Sequence, residues 1–221
     1  WWLQRIPHNL ELFGLLRLDH FRAFSAYWEV PADEKTAING KWVKTPGTKL
    51  LTEVKKRFPA MPIIAEDLGE IDQPVRDLMA AFDLPGMRVL LFAFGEDLPN
   101  SLYAPHHHSQ NSIVYTGTHD NSTVRAWYEH DASREDKKRL SDYSAQRLSK
   151  ENVSGVMARL AYMSVAQLVI LPIQDVLGLG KEAIMNKPST SKGNWQWRLQ
   201  PGMFSKTAAH RLKQEAELYG R

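Results

Sequence analysis

Short apolar runs alternate along the chain with segments in which apolar residues recur every three or four positions. The apolar runs predict β-strands over residues 14–19, 61–67, 86–94, 112–120 and 166–172. The amphipathic segments predict helices over residues 1–13, 48–58, 71–82, 121–130, 133–148, 153–163 and 206–220. Asp72 is the predicted N-cap of the third helix, with Pro74 in its first turn. This alternation is typical of parallel βαβ units and predicts an α/β fold.

Five predicted strands are too few for a complete (β/α)₈ barrel, which has eight strands and typically about 250 residues. The simplest interpretation is that the chain forms part of such a barrel. A complete, doubly wound open sheet is the alternative, although no glycine-rich phosphate loop follows any predicted strand. The chain begins Trp1-Trp2, without an initiator Met and within a predicted helix, so we expect a piece of a longer protein.

Composition narrows the classes of function. The 221 residues include no cysteine, which excludes disulfides and thiolate metal sites and favours a reducing compartment. A net charge of +3 with interspersed signs gives no basic stripe, so no nucleic-acid partner is expected. No apolar run approaches the roughly 18 residues of a membrane span. Three consecutive histidines, His106 to His108, predict a surface loop rather than a metal site, and no cofactor is expected.

Acidic residues stand where three of the predicted strands end. They are Asp19, Glu66 and Asp120, after the apolar parts of "LLRLD", "PIIAE" and "VYTGTHD". In parallel α/β barrels the carboxyl ends of the strands carry catalysis. The structural alternatives are helix capping and, for Asp19, an ion pair with Arg17 on the same face of the strand. Three separate strand ends that each supply an acid are harder to explain by capping.

Several carboxylates without a nucleotide loop suit the cleavage of a glycosidic bond. That reaction needs one carboxylic acid to protonate the leaving oxygen and one carboxylate to attack or assist the anomeric carbon. In retaining enzymes the two groups lie about 5–5.5 Å apart, and neighbouring strands lie about 4.8 Å apart. Asp19 and Glu66 follow successive predicted strands, and we interpret Asp19 as the nucleophile and Glu66 as the acid.

The connection over residues 20–49 is long and contains Tyr27, Trp28 and Trp42 among prolines and glycines. Aromatic residues in a long connection argue against disorder and favour a functional loop. Aromatic faces beside polar groups suit sugar rings, and the alternative is that these side chains pin the loop to its own domain.

Several runs resemble one branch of the alpha-amylase superfamily, the 4-alpha-glucanotransferases (amylomaltase or disproportionating enzyme, glycoside hydrolase family 77). The resemblance extends over essentially the whole chain. The runs that carry it are "RLDHFRAFSAYWEVPA", "IIAEDLGE", "DLPGMRVLLFAF", "VYTGTHDNSTVRAWY", "LPIQDVLGLG" and "GNWQWR".

The resemblance implies that residues 1–221 are the C-terminal portion of a catalytic (β/α)₈ barrel. It implies that Asp19 is the nucleophile, Glu66 the acid/base and Asp120 the third carboxylate. Further implied substrate-binding residues are Arg17, which orients the nucleophile, His119, which grips sugar hydroxyls with Asp120, and Asn194. The chain departs from the family pattern at four positions. These are Ala23, Ser122, Ser189 and Ile184, where Gly, Asp, Gly and Arg are expected.

The implied reaction transfers a segment of an α-1,4-glucan or maltooligosaccharide donor to the 4-hydroxyl of glucose or a maltooligosaccharide acceptor. The resemblance implies double displacement with retention, in the cytoplasm or, in a plant or alga, the plastid stroma. An amylase-type hydrolase and a catalytically silent glucan-binding fragment are the alternatives. An open barrel flank would also favour self-association.

Overall fold

The computed structural model describes residues 1–221, which divide into two compact units, Trp1–Met87 and Arg88–Arg221. The strands are β1 (Leu16–Leu18), β2 (Ala26–Glu29), β3 (Lys41–Lys44), β4 (Ile63–Ala65), β5 (Gly86–Val89), β6 (Ser112–Tyr115) and β7 (Leu168–Ile170). The helices are α1 (Trp2–Leu12), α2 (Gly47–Arg57), α3 (Gln73–Ala81), α4 (Val124–Ala126), α5 (Arg134–Ser144), α6 (Val153–Met163), α7 (Ile173–Val176) and α8 (Lys206–Leu218).

The first unit is built on the parallel pair β1 and β4, with a separate antiparallel hairpin of β2 and β3. A short 3₁₀ helix, Phe21–Phe24, follows β1 and precedes the hairpin. The core of this unit forms where α1, α2 and α3 bury apolar side chains together with β4. Its fully buried members include Ile6, Phe21, Leu51, Ile63 and Val75.

The second unit contains the sheet order β5-β6-β7, and the unit boundary falls within β5. β6 and β7 pair in parallel, with Ile113 opposite Leu168 and Tyr115 opposite Ile170. Every side chain of β6 is buried, as expected for a strand covered on both faces. Helices α5 and α6 contribute the buried Leu140 and Met157 to this unit.

All five predicted strands are present, but each is shorter than its apolar run. The largest difference is in residues 86–94, where the strand ends at Val89 and Leu90–Phe92 form a 3₁₀ turn. The continuous extended run predicted there is therefore wrong in its second half. Burial explains the error, because Leu90 and Leu91 are buried in the turn and look the same in sequence as strand residues.

The predicted cap of α3 is confirmed. Asp72 accepts a hydrogen bond from the backbone N–H of Val75 at 3.3 Å, and Pro74 lies in the first turn. The helix predicted over 121–130 is instead the single turn α4 followed by a wide π-helical turn, Trp127–Asp131. The antiparallel hairpin of β2 and β3 was not predicted, because its two strands are only half-buried and lack a clear alternation.

The histidine run is only partly a surface loop. His106 and His107 are exposed, whereas His108 is buried and contacts the Ser164 hydroxyl at 2.6 Å and the Tyr103 carbonyl at 2.9 Å. Burial lowers the pKa of His108 to about 4, so its ring is neutral near pH 7. None of the helices is both long enough and apolar enough to cross a membrane.

The start of α2 requires glycine. A Cβ atom on Gly47 would overlap the carbonyl oxygen of Phe24, which is backbone and cannot rotate away. We therefore predict that Gly47→Ala lowers the free energy of unfolding by about 1–3 kcal/mol, measured by urea denaturation. Gly155→Ala in α6 is the matched control, because a Cβ there meets nothing within 4 Å. It should stabilise the protein by about 0.5–1 kcal/mol, and equal effects of the two variants would contradict the prediction.

Candidate active site

The pairing of β1 with β4 brings two of the predicted acids to one edge of the first unit. Leu18 lies opposite Ala65 in the parallel register, so Asp19 and Glu66 each follow a paired residue by one position. The Glu66 N–H donates to the Leu18 carbonyl at 3.0 Å, and the Phe21 N–H donates to the Glu66 carbonyl at 3.1 Å. These backbone hydrogen bonds thus fix the Cα positions of Asp19 and Glu66 relative to each other.

The Glu66 carboxylate is held by the turn that follows Asp19. Its Oε2 atom accepts from the backbone N–H of His20 at 2.7 Å, and Oε1 accepts from the N–H of Leu68 at 2.9 Å. The residue is only 9% exposed, so its orientation is set by these two donors and by packing. These contacts fix the position of the carboxyl group at the end of β4.

His20 adopts a left-handed conformation, with φ 46° and ψ 53°. A non-glycine residue pays a conformational cost in this region, which persists only where neighbouring contacts enforce it. Here the contact is its N–H bond to Glu66, so the sharp turn after Asp19 and the fixed position of Glu66 depend on each other.

Asp19 lies in a different environment from Glu66. Its side chain is 74% exposed, and its Oδ1 atom lies 2.7 Å from Nη2 of Arg17. The predicted ion pair is therefore present, but it does not compensate a buried charge, because the carboxylate faces solvent. The pair instead fixes the direction of an accessible carboxylate, which is what an attacking group requires.

The third predicted acid lies in the second unit, on the loop after β6. Asp120 Oδ1 accepts from Nδ2 of Asn186 at 2.6 Å, and its Oδ2 lies 3.3 Å from Nε2 of His119. The Asn186 N–H also donates to the His119 carbonyl at 3.1 Å. Asn186 thus holds both members of the predicted sugar-gripping pair, a role that the sequence did not indicate.

Asn194 belongs to the segment that approaches this pair, but its side chain is engaged within its own loop. Its Oδ1 accepts from the Lys187 N–H at 3.0 Å, and its Nδ2 donates to the Thr190 carbonyl at 3.0 Å. The next residue, Trp195, places its ring 5.3 Å from that of His119. In this loop Ser189 has φ 65°, which explains why glycine is expected at that position.

Asp175 is a buried carboxyl group that sequence reasoning missed. Its Oδ2 accepts from the Thr116 hydroxyl at 2.6 Å and its Oδ1 from the Val124 N–H at 2.8 Å. Thr116 and Val124 flank the loop that carries His119 and Asp120, so one carboxylate ties both ends of that loop. Burial raises the pKa of Asp175 to about 6. The sequence feature that could have indicated Asp175 is its place as an acidic residue soon after the last predicted strand, residues 166–172.

The three histidines do not form a metal site. His106 and His107 have separate partners, with His106 Nδ1 3.0 Å from the Tyr143 hydroxyl and His107 Nε2 2.7 Å from the Pro99 carbonyl. No group of three or more His, Asp or Glu side chains in residues 1–221 is arranged to hold a metal ion.

Comparison with known proteins decides the family. Residues 1–205 match the glycoside hydrolase family 77 model, described as 4-alpha-glucanotransferase. The chain belongs to the 4-alpha-glucanotransferase family. A 4-alpha-glucanotransferase from Aquifex aeolicus is 44% identical over 221 residues, all of this chain and 44% of the relative. The chloroplastic/amyloplastic 4-alpha-glucanotransferase of Solanum tuberosum is 43% identical over 98% of this chain and 36% of its own length.

A solved structure of the same family confirms the fold. The amylomaltase from Streptococcus agalactiae, in complex with acarbose, aligns with a TM-score of 0.94 and 37% identity. The alignment covers 100% of this chain and 44% of that one, so the chain spans less than half the length of the amylomaltase. The family resemblance and the fold class predicted from the sequence, an α/β fold forming part of a (β/α)₈ barrel, are both confirmed.

The raised pKa of Asp175 predicts a pH dependence of stability in this family member. The folded-state pKa of about 6 lies above the ordinary 3.8, so the neutral carboxyl favours folding and its contribution is lost as pH rises through 6. Asp175→Asn removes the titration. The stability of the variant relative to the parent should therefore rise by roughly 2–3 kcal/mol between pH 4 and pH 7.

The measurement is urea denaturation of both proteins at each pH unit from 4 to 7. Asp142→Asn serves as the control, because Asp142 is an exposed residue of α5 paired with Lys138. A stability difference between Asp175→Asn and the parent that stays constant with pH would contradict the assignment.

Proposed function

We propose that the chain carries the reacting carboxylates of a 4-alpha-glucanotransferase, which moves a segment of an α-1,4-glucan to the 4-hydroxyl of an acceptor sugar. The observation that carries the proposal is the parallel register that sets Asp19 and Glu66 one residue beyond paired positions. Adjacent strands about 4.8 Å apart suit the separation of about 5–5.5 Å used by retaining enzymes.

In the first step Asp19 attacks the anomeric carbon of the donor and forms a glycosyl ester. Glu66 gives its proton to the glycosidic oxygen as that bond breaks, so the leaving sugar departs as a neutral alcohol. The two N–H groups that bond Glu66 then stabilise the carboxylate that remains. Arg17 keeps the attacking oxygen of Asp19 directed, since their ion pair spans 2.7 Å.

In the second step the Glu66 carboxylate takes the proton of the acceptor 4-hydroxyl while that oxygen attacks the anomeric carbon. The ester bond to Asp19 breaks, and the α-1,4 linkage is restored with overall retention. Asp120 and His119 hold hydroxyls of the reacting ring, and the Asp120 carboxylate stabilises the positive charge that develops on that ring. Asn194 supports this site through the loop that it braces.

Three features of the relatives support the substrate class and location. The relatives from Aquifex aeolicus and Solanum tuberosum are named 4-alpha-glucanotransferases, and the structure of the Streptococcus agalactiae amylomaltase contains acarbose. We propose an α-1,4-glucan or maltooligosaccharide donor and a glucose or maltooligosaccharide acceptor. The chloroplastic/amyloplastic relative supports the plastid stroma as the location in a plant or alga, with the cytoplasm proposed otherwise. We propose that residues 1–221 are the C-terminal portion of one catalytic barrel and that the chain self-associates through the open flank of that barrel.

Incubation with maltotriose tests the proposed reaction. A transferase converts maltotriose into glucose together with longer maltooligosaccharides, because the glycosyl group passes to another sugar. We predict these longer products by chromatography for the full-length protein. A product mixture that contains only glucose and maltose would contradict transfer and indicate a hydrolase. No turnover with the proposed residues intact would indicate a silent glucan-binding protein.

A further inference from the structure

An open groove beside the β2–β3 hairpin has no role in the steps above. It is lined by Arg22, Trp28, Trp42, Glu70, Ile71 and Asp72, and we call it the hairpin groove. Its volume of about 510 Å³ falls within the range of small-ligand sites. All of its lining residues belong to the first unit.

Two tryptophans form the aromatic wall of the hairpin groove. Trp28 and Trp42 face each other across the antiparallel pair, and their ring centroids lie 5.2 Å apart at an interplanar angle of 66°. Both remain accessible, at 40% and 49% exposure. The hairpin therefore leaves nearly half of each indole surface exposed.

The neighbouring contacts hold these rings in place. The Trp28 indole N–H donates to the Ala37 carbonyl at 2.7 Å, and its ring occupies space that a Cβ on Gly40 would need. The Arg22 guanidinium lies 3.9 Å from the Trp42 ring centroid. A ligand that stacks on rings already fixed in this way pays little ordering entropy.

Arg22 itself is anchored by polar groups of the opposite wall. It donates to the Glu70 carbonyl at 2.8 Å and to Asp72 Oδ2 at 2.9 Å. The groove thus combines the two indole rings with the Arg22–Asp72 ion pair and the backbone carbonyl of Glu70. Such a lining suits a neutral, hydroxyl-rich ligand that has apolar C–H faces, because its one cation is already paired with Asp72 and leaves no free positive charge for a polyanion.

The hairpin groove is built partly from the two segments that directly follow the proposed reacting groups. Arg22 lies three residues after Asp19, in the 3₁₀ helix that follows it, and the wall from Glu70 to Asp72 begins four residues after Glu66. Three residues of backbone span at most about 11 Å, and the Phe21 N–H beside Arg22 donates to the Glu66 carbonyl, so the groove residue Arg22 lies close to both proposed reacting groups.

We propose that the hairpin groove binds a segment of the α-glucan chain beyond the units at the reacting bond. This proposal rests on the proposed function, because it takes the same polymer as the ligand. It assigns Trp42 and Trp28 to chain binding, with no part in the bond-breaking steps. The groove should therefore affect long glucans and leave short ones unaffected.

The test compares Trp42→Ala with Tyr27→Ala in the full-length protein, each with Asp19→Asn to prevent turnover. Tyr27 is the matched control, because it is 40% exposed on β2 but pairs with Val43 on the other face of the hairpin. Calorimetry measures the affinities for maltotriose and for an α-1,4-glucan of about 20 units. Trp42→Ala should weaken long-glucan binding about five- to tenfold and leave maltotriose binding unchanged. Tyr27→Ala should change neither affinity.

Trp42→Phe separates stacking from a folding defect, because it keeps an aromatic face and should restore most of the long-glucan affinity. In the protein with Trp42 intact, the long glucan should shift the NMR signal of the Trp42 indole N–H, whereas maltotriose should not. Three results would each overturn the proposed role of the hairpin groove. They are an unchanged long-glucan affinity in a folded Trp42→Ala variant, equal losses of affinity for both ligands, and an unshifted Trp42 indole signal. If the parent with Asp19→Asn binds neither sugar, the proposed function fails as well.

Discussion

The hydrogen bond from the His20 N–H to the Glu66 carboxylate is the contact on which the candidate site depends. It joins the turn after β1 to the end of β4, and it enforces the left-handed backbone at His20. That backbone in turn directs the chain from the exposed Asp19 into the 3₁₀ helix. One contact therefore determines how an accessible carboxylate and a buried one are presented at neighbouring strand ends.

Asp19 and Glu66 follow two paired strands but differ in solvent exposure and in hydrogen-bond partners. Asp19 is exposed and paired with Arg17, whereas Glu66 is buried and held by two backbone donors. The proposed steps assign the attack to the accessible carboxylate and the proton transfer to the buried one. In the second unit the buried Asp175 ties the two ends of the loop that presents His119 and Asp120.

The sequence was sufficient to place Asp19 and Glu66 directly after β1 and β4, because a short apolar run followed by an acid is a local pattern. The strand predicted to end at Asp120 ends instead at Tyr115, and Asp120 lies on the loop that follows. The sequence also predicted the ion pair of Arg17 with Asp19, since alternate strand residues share a face. It could not reveal the contacts of Asn186 or Asp175. Asn186 lies 66 residues from its partner Asp120, and Asp175 reaches 59 residues back to Thr116, so chain folding alone brings them together. The β2–β3 hairpin was missed because its exposed tryptophans break the usual alternation.

The central claim is that Asp19 and Glu66 act on opposite sides of one glycosidic bond. Trapping the glycosyl-enzyme tests it most directly, with Glu66→Gln in the full-length protein and maltotriosyl fluoride as the donor. Fluoride leaves without a proton from Glu66, whereas the acceptor step needs that base, so the intermediate should accumulate. Peptide mass spectrometry should then find a maltotriosyl group on Asp19. An adduct on another residue, or none while fluoride is released, would contradict the account.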